Sequence, residues 1–134
     1  MDPQLDTALS TDLDAPIRAA HAAAAGAAFT QAQAVLGATP PPGADGEQWN
    51  VAVQVLAFRI EHAAGFDALG SVVGLRRWGV TWDVIGRAAG ISRQAAHARW
   101  GAQVRATLDR YGTGELGGPV ADDEKDLRSR VATT

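Results

Sequence analysis

The sequence predicts an all-α fold of about five helices, with a long Ala-rich helix near the N-terminus and a disordered tail at the C-terminus. Apolar residues recur at helical spacing as far as Tyr111, and each apolar stretch ends at Gly, Pro or a residue suited to capping. No period-two run of Val, Ile, Thr and aromatics is sustained, and no Asn-Gly or Asp-Gly joins two such runs.

Leu5, Leu9, Leu13 and Ile17 recur every fourth residue, and Ala20, Ala24, Ala28 and Val35 carry a weaker stripe onward. Pro16 has no N–H to bond back into a preceding turn, so the long helix is expected to begin near Asp14, as its cap, and to run to about Leu36. The residues before it are expected to form a separate turn. Gly37 stops the helix, and GATPPPGADG is a loop. Asp45 followed by Gln48 reads as a capping box for a helix that carries Trp49, Ala52, Val53, Leu56 and Ile60 on one face, ended or kinked by Gly65. Asp67 can cap a segment with Leu69, Val72, Val73 and Leu75 that ends at Trp78-Gly79. Thr81 caps a short helix from Trp82 to Ala89, Gly90 turns the chain, and Ser92 caps a longer helix reaching Tyr111. Gly101 weakens the middle of that helix by about 1 kcal/mol relative to Ala. From Gly112 on, four Gly, one Pro and a charge cluster with hardly any apolar periodicity predict a mobile tail. The chain therefore divides into an N-terminal helix and Pro-rich loop (1–46), a helical domain (47–111) and the tail (112–134).

At 134 residues there is material for one modest core. With no cysteine, the chain has no disulfide framework, no Cys-based metal site and no thiol nucleophile. The acidic start Met1-Asp2-Pro3 lacks the charged and apolar regions of a signal peptide, and the longest apolar run, AAHAAAAGAAF, is too short and too weakly hydrophobic to span a bilayer. A soluble, cytoplasmic protein with no membrane partner is expected. There is no Walker loop, no His-Glu-x-x-His, no Gly-x-Ser-x-Gly and no pair of carboxylates in an apolar setting. GTGELGG follows no strand and opens no helix, so it is no phosphate cradle. His21 and His62 lie in separate helices without a carboxylate or thiol at ligand spacing, which favours packing over metal binding. Neither catalysis nor a cofactor is expected.

Eleven Arg stand against the single Lys125, which with abundant Ala and Gly reflects a GC-rich coding bias. The net charge of −3 conceals an asymmetry. Between Leu75 and Tyr111 seven Arg face two Asp, a balance of +5, while the five basic and thirteen acidic residues elsewhere give −8. One face can thus be basic on an acidic chain, which is the electrostatic footprint of a nucleic-acid partner.

Within the basic segment, the residues meet the demands of a helix-turn-helix: two short helices, a small residue where they approach, a turn residue tolerant of positive φ, and an immediate cap for the second helix. Ile85 and Ala89 face inward from the first helix, Gly86 permits close approach, Gly90 turns, Ile91 plugs the space between the helices and Ser92 caps. In the second helix Ala96 and Trp100 are expected to face the core, which would leave Arg93, Gln94 and His97 on the outer face. Arg can fork to guanine O6 and N7, Gln can pair with adenine N6 and N7, and Ala95 and Ala98 would let the helix sink into a major groove, Ala98 touching a thymine methyl.

The stretch TWDVIGRAAGISRQAAHARW resembles the helix-turn-helix of small bacterial DNA-binding regulators from GC-rich genomes, and is similar to the last DNA-reading segment of sigma factors. Ile-Gly, then Gly-Ile-Ser-Arg-Gln, carries most of the likeness, which covers roughly Leu75 to Gly101. The resemblance implies DNA binding, without a target or pathway. It departs from the simplest pattern at Arg99, where an aliphatic residue usually seals the second helix; Trp100, one place on, takes over that role.

The candidate base-reading residues are Ser92, Arg93, Gln94, His97 and Ala98, and the candidate phosphate contacts are Thr81, Arg76, Arg77, Arg87, Arg99 and Arg105. A plain αα-hairpin can carry a capped glycine turn too; the coincidence with outward Arg and Gln favours DNA. His97 alone would pass for a solvated surface histidine, the five Arg of the phosphate set for a solvated face, and Trp82 for core or a support beneath the second helix. Trp49 and Trp78 are assigned to packing. The first function that follows is a sequence-specific transcriptional regulator, nucleoid-associated, binding double-stranded DNA as a homodimer, because one such motif offers few base contacts. Its dimer surface would be the Ala-rich helix, unless that helix covers the core of its own monomer. The second is a phage- or plasmid-type packaging, segregation or chromosome-organising protein, and the third an interaction module for a sigma factor or RNA polymerase.

Overall fold

The computed structural model describes residues 2–111. Over them the chain is all-helical, with six α-helices and no strand: α1 (Pro3–Ser10), α2 (Asp14–Leu36), α3 (Gly46–Ala63), α4 (Leu69–Arg77), α5 (Trp82–Ala89) and α6 (Arg93–Tyr111). The predicted tail from Gly112 lies outside the described residues. No helix among them is long and apolar enough to cross a membrane.

The count exceeds the expected five because the residues before α2 form a helix rather than a turn. Asp2 accepts from the Gln4 N–H at 3.1 Å and Pro3 occupies the first helical position, where a missing N–H costs nothing. Asp14 is the first residue of α2 and not its cap; Leu13 stands in the cap position, and Asp12 accepts from the Asp14 N–H at 3.2 Å. Pro16 falls within the first turn, where its ring clashes with nothing. Asp45 caps α3 by accepting from Glu47 and Gln48 N–H at 2.9 and 3.2 Å. Gly65, at φ 91°, ends that helix, and Phe66 N–H closes back on Glu61 O. Ala68, and not Asp67, holds the cap position of α4, although Asp67 still accepts from Leu69 N–H at 3.2 Å.

Helix α3 is the centre of the packing. One face carries Val53 and Ala57, which bury Ala28 and Ala32 of α2, with Trp49, Leu56 and Ile60 around them. The indole N–H of Trp49 donates to Leu36 O at 3.2 Å and so ties off the end of α2. Phe58 points the other way, into a larger cluster built from Val72 and Leu75 of α4, Val80, Trp82 and Ile85 of the α5 region, and Ala96, Trp100, Val104 and Leu108 of α6. Ala52, expected on the packed face of α3, is exposed.

The alternative readings of α2 divide along its length. Its C-terminal half covers the core of the same chain, while the apolar residues of α1, of the break after it and of the first turn of α2 are uncovered: Leu5, Leu9, Leu13 and Ile17 are 48, 71, 57 and 47% exposed. Val35, at 71%, faces solvent as well.

Candidate nucleic-acid interface

The α5–α6 unit is set up by three local devices. Thr81 Oγ1 accepts from Val84 N–H at 3.3 Å and starts α5. Gly90 takes the left-handed conformation (φ 76°, ψ 26°), and Ile91 N–H returns to Gly86 O at 2.9 Å, closing the end of α5. Ser92 Oγ then accepts from Ala95 N–H at 3.0 Å, and Ser92 O from Ala96 N–H at 2.9 Å, so α6 begins two residues after the turn. The turn folds back so closely that a Cβ on Gly86 would sit 2.8 Å from Ile91 O and 2.9 Å from Ser92 O. Ile85 is buried, Ala89 partly so, and Ile91 packs against the main cluster.

Trp82 fixes α6 in rotation. Its ring is met edge to face by His97 at 5.4 Å and covered by the Arg76 guanidinium at 5.0 Å. Further along α6, Trp100 meets Phe58 and His62 of α3 at 5.7 and 5.8 Å, both edge to face. Arg99 lies over the outer side of the Trp100 ring at 4.8 Å. The indole N–H of Trp82 is buried and has no acceptor among the described residues.

This packing corrects the expected outer face. Arg93, His97, Trp100 and Val104 are spaced i, i+4, i+7 and i+11, and therefore share one side of the helix. Trp100 and Val104 are buried, His97 is half-buried with its ring filling the space beside Gly101, and Arg93 is half-buried at the helix start. The solvent face of the first turns of α6 is made by Gln94, Ala95, Ala98 and Arg99, with Ser92 exposed before them. Gly101, expected only to weaken the helix, makes room for the imidazole: a Cβ there would meet the ring at 3.2 Å.

The expected phosphate set separates in the same way. Arg76 is only 2% exposed; its Nη1 donates to Val80 O at 2.8 Å, so it braces the α4–α5 connection and does not face solvent. Arg87, Arg99 and Arg105 are exposed, the last 3.8 Å from Asp109. Arg77 is half-buried, and its Nε has no acceptor among the described residues; Thr81 is half-buried and occupied as a cap. Among the described residues no three His, Asp or Glu side chains gather in a way that could hold a metal ion. One feature of another face, the buried Glu61 of α3, carried no sequence signal beyond an acid after the mostly apolar run of residues 51–58. No family model, no curated protein and no solved structure matches the chain.

Proposed function

We propose that the protein is a sequence-specific binder of double-stranded DNA, a transcriptional regulator that uses α5 and α6 as a helix-turn-helix and α6 as the reading helix. The observation that carries the reading is the Gly86–Gly90–Ser92 turn. It sets a capped helix immediately behind a tight bend and offers solvent a face of small and hydrogen-bonding side chains, Ser92, Gln94, Ala95 and Ala98. Gln94 supplies a bidentate pairing to adenine, Arg93 reaches out from the first turn toward guanine, and the alanines keep the face low enough to enter a major groove. Arg87, Arg99 and Arg105 flank that face as phosphate contacts. His97, being packed on Trp82, acts by orienting the helix.

The partner in the complex is a second copy, joined through the uncovered Leu5, Leu9, Leu13 and Ile17 stripe, so that two reading helices engage half-sites about 34 Å apart. The site of action is the cytoplasm, at the nucleoid. Binding-site selection from random duplexes, followed by titration of variants at two salt concentrations, tests the reading. Gln94→Ala and Arg93→Ala each lose about 1–3 kcal/mol on the selected site and relax base preference at one or two positions. Arg87→Ala and Arg99→Ala weaken all sequences alike and lower the salt dependence by roughly one counterion. Selection that enriches no sequence, or Gln94→Ala and Arg93→Ala that bind as tightly and selectively as wild type, refutes it.

A further inference from the structure

Helices α2 and α4 both lie near α3 but leave a groove between them, floored by α3. It comprises two adjoining recesses of about 260 and 360 Å³ that share Ala25, Glu61, Gly70 and Ser71 as walls. The groove exists because small residues face it from both sides: Ala22 and Ala25 on α2, Gly70 and Gly74 on α4. A Cβ built on Gly70 or Gly74 meets nothing within 4 Å. Phe29 supplies one aromatic wall, partly exposed and so available to a ligand.

Glu61 lines both recesses and is only 7% exposed. Its Oε2 accepts from Ser71 Oγ at 2.8 Å, and neither the Arg18–Asp14 nor the Arg105–Asp109 pair involves it. A carboxylate buried to this degree on the wall of an open groove, with one hydroxyl donating to it, can take a cation and further donors from the groove side. Asp67 adds a second carboxylate to the wall of the larger recess, opposite His21. An ammonium brings one positive charge and three N–H donors, and an apolar body attached to it would lie along Phe29, Ala25 and the bare backbone of Gly70 and Gly74. The recess volumes suit a small molecule.

We infer that this groove is a binding site for a small organic cation, a primary ammonium with an apolar or aromatic body, whose charge is matched by Glu61. The inference is independent of DNA binding by α6.

The test is titration of the full-length chain with 2-phenylethylammonium, with 2-phenylethanol as its neutral counterpart, followed by amide NMR shifts. Saturable shifts are expected at Gly70, Ser71 and Gly74 with a Kd below about 5 mM, and binding of the alcohol at least roughly tenfold weaker. Glu61→Gln keeps an acceptor for Ser71 but removes the charge, and should weaken the amine by about tenfold or more. Gly74→Leu leaves Glu61 intact, fills the open groove and should abolish the shifts while the helix content is retained. The inference is overturned by the absence of saturable shifts up to about 10 mM amine, by equal binding of amine and alcohol, or by a Gly74→Leu chain that binds like wild type.

Discussion

Replacing Gly86 by Ala isolates the geometry on which the α5–α6 turn depends. In an ordinary helix interior the added methyl would stabilise by about 0.5–1 kcal/mol, because Gly loses more backbone freedom on folding. At Gly86 the new carbon would lie 2.8 Å from Ile91 O, 2.9 Å from Ser92 O and 3.0 Å from Ser92 C. All three are backbone atoms, and they belong to the turn and to the cap of α6. They cannot rotate aside as a side chain could, so the methyl must push α6 away from α5. Overpacking of this kind costs about 1–3 kcal/mol, and the net loss is expected at about 1–2 kcal/mol. Gly74→Ala is the matched control, since it lies in the interior of α4, where a methyl meets nothing within 4 Å and should yield the full helical gain. Urea unfolding followed by helical circular dichroism compares the two, and a difference of about 2 kcal/mol corresponds to midpoints roughly 1 M apart. A Gly86→Ala protein as stable as Gly74→Ala would mean that the turn is not packed as described, and the placement of α6 would fall with it.

Trp100→Ala should cost about 3–5 kcal/mol, because it opens a cavity between α6 and the Phe58–His62 face of α3 and uncovers the Arg99 stack; a loss under about 1 kcal/mol in thermal or urea unfolding would contradict that packing. Arg76→Ala should destabilise by about 2–3 kcal/mol through the lost bond to Val80 O and the uncovered Trp82 ring, whereas exposed Arg87→Ala should stay within about 0.5 kcal/mol; equal stabilities would place Arg76 at the surface. Ile17→Glu should leave the chain folded, with its helix content retained, but dissociate the proposed dimer and reduce affinity for a two-half-site DNA; sedimentation showing wild type monomeric at micromolar concentration, with and without DNA, would remove the proposed association. Ala28 is unsuitable for that purpose, being buried against α3.

What the sequence made legible was mostly local. Asp45, Thr81, Ser92, Gly37 and Gly90 act within one or two residues of themselves, and each does in the structure what its position in the pattern implied. The repeat Leu5, Leu9, Leu13, Ile17 has helical spacing but crosses the break between α1 and α2, where Thr11 is extended, and it could not say what covers these residues, because periodicity records a face and not its partner. The rotation of α6 was legible in Ala96 and Trp100, which both face the core as their spacing implies, and the same line runs on through Val104 and Leu108. His97 and Arg93 lie beside that line and are half-buried; the imidazole packs on Trp82, a contact from another helix that spacing along α6 does not record. Glu61 and Arg76 were illegible for a different reason. A charged side chain is read as solvent-facing by default, and both are buried through partners supplied by another element or turn, Ser71 of α4 for one, Val80 and Trp82 for the other.

The burial of Arg76 also changes the electrostatics inferred from composition. Counting charges from Leu75 to Tyr111 gives +5, as if all seven Arg were available to a polyanion. One of them is spent inside the protein, holding the Gly79–Thr81 connection against Trp82, and a second, Arg105, sits beside Asp109. Arg99 has two tasks at once, since the guanidinium that covers Trp100 also remains exposed for a phosphate. On the proposed function, the number of counterions released should therefore be smaller than the charge count suggests, and more of the affinity would come from the directional contacts of α6. Such contacts would tolerate little rotation of the helix, so on the proposed function Trp82, packed by Arg76 and by His97, matters to recognition from inside the protein. Arg76 and His97 hold in register the helix proposed to read bases.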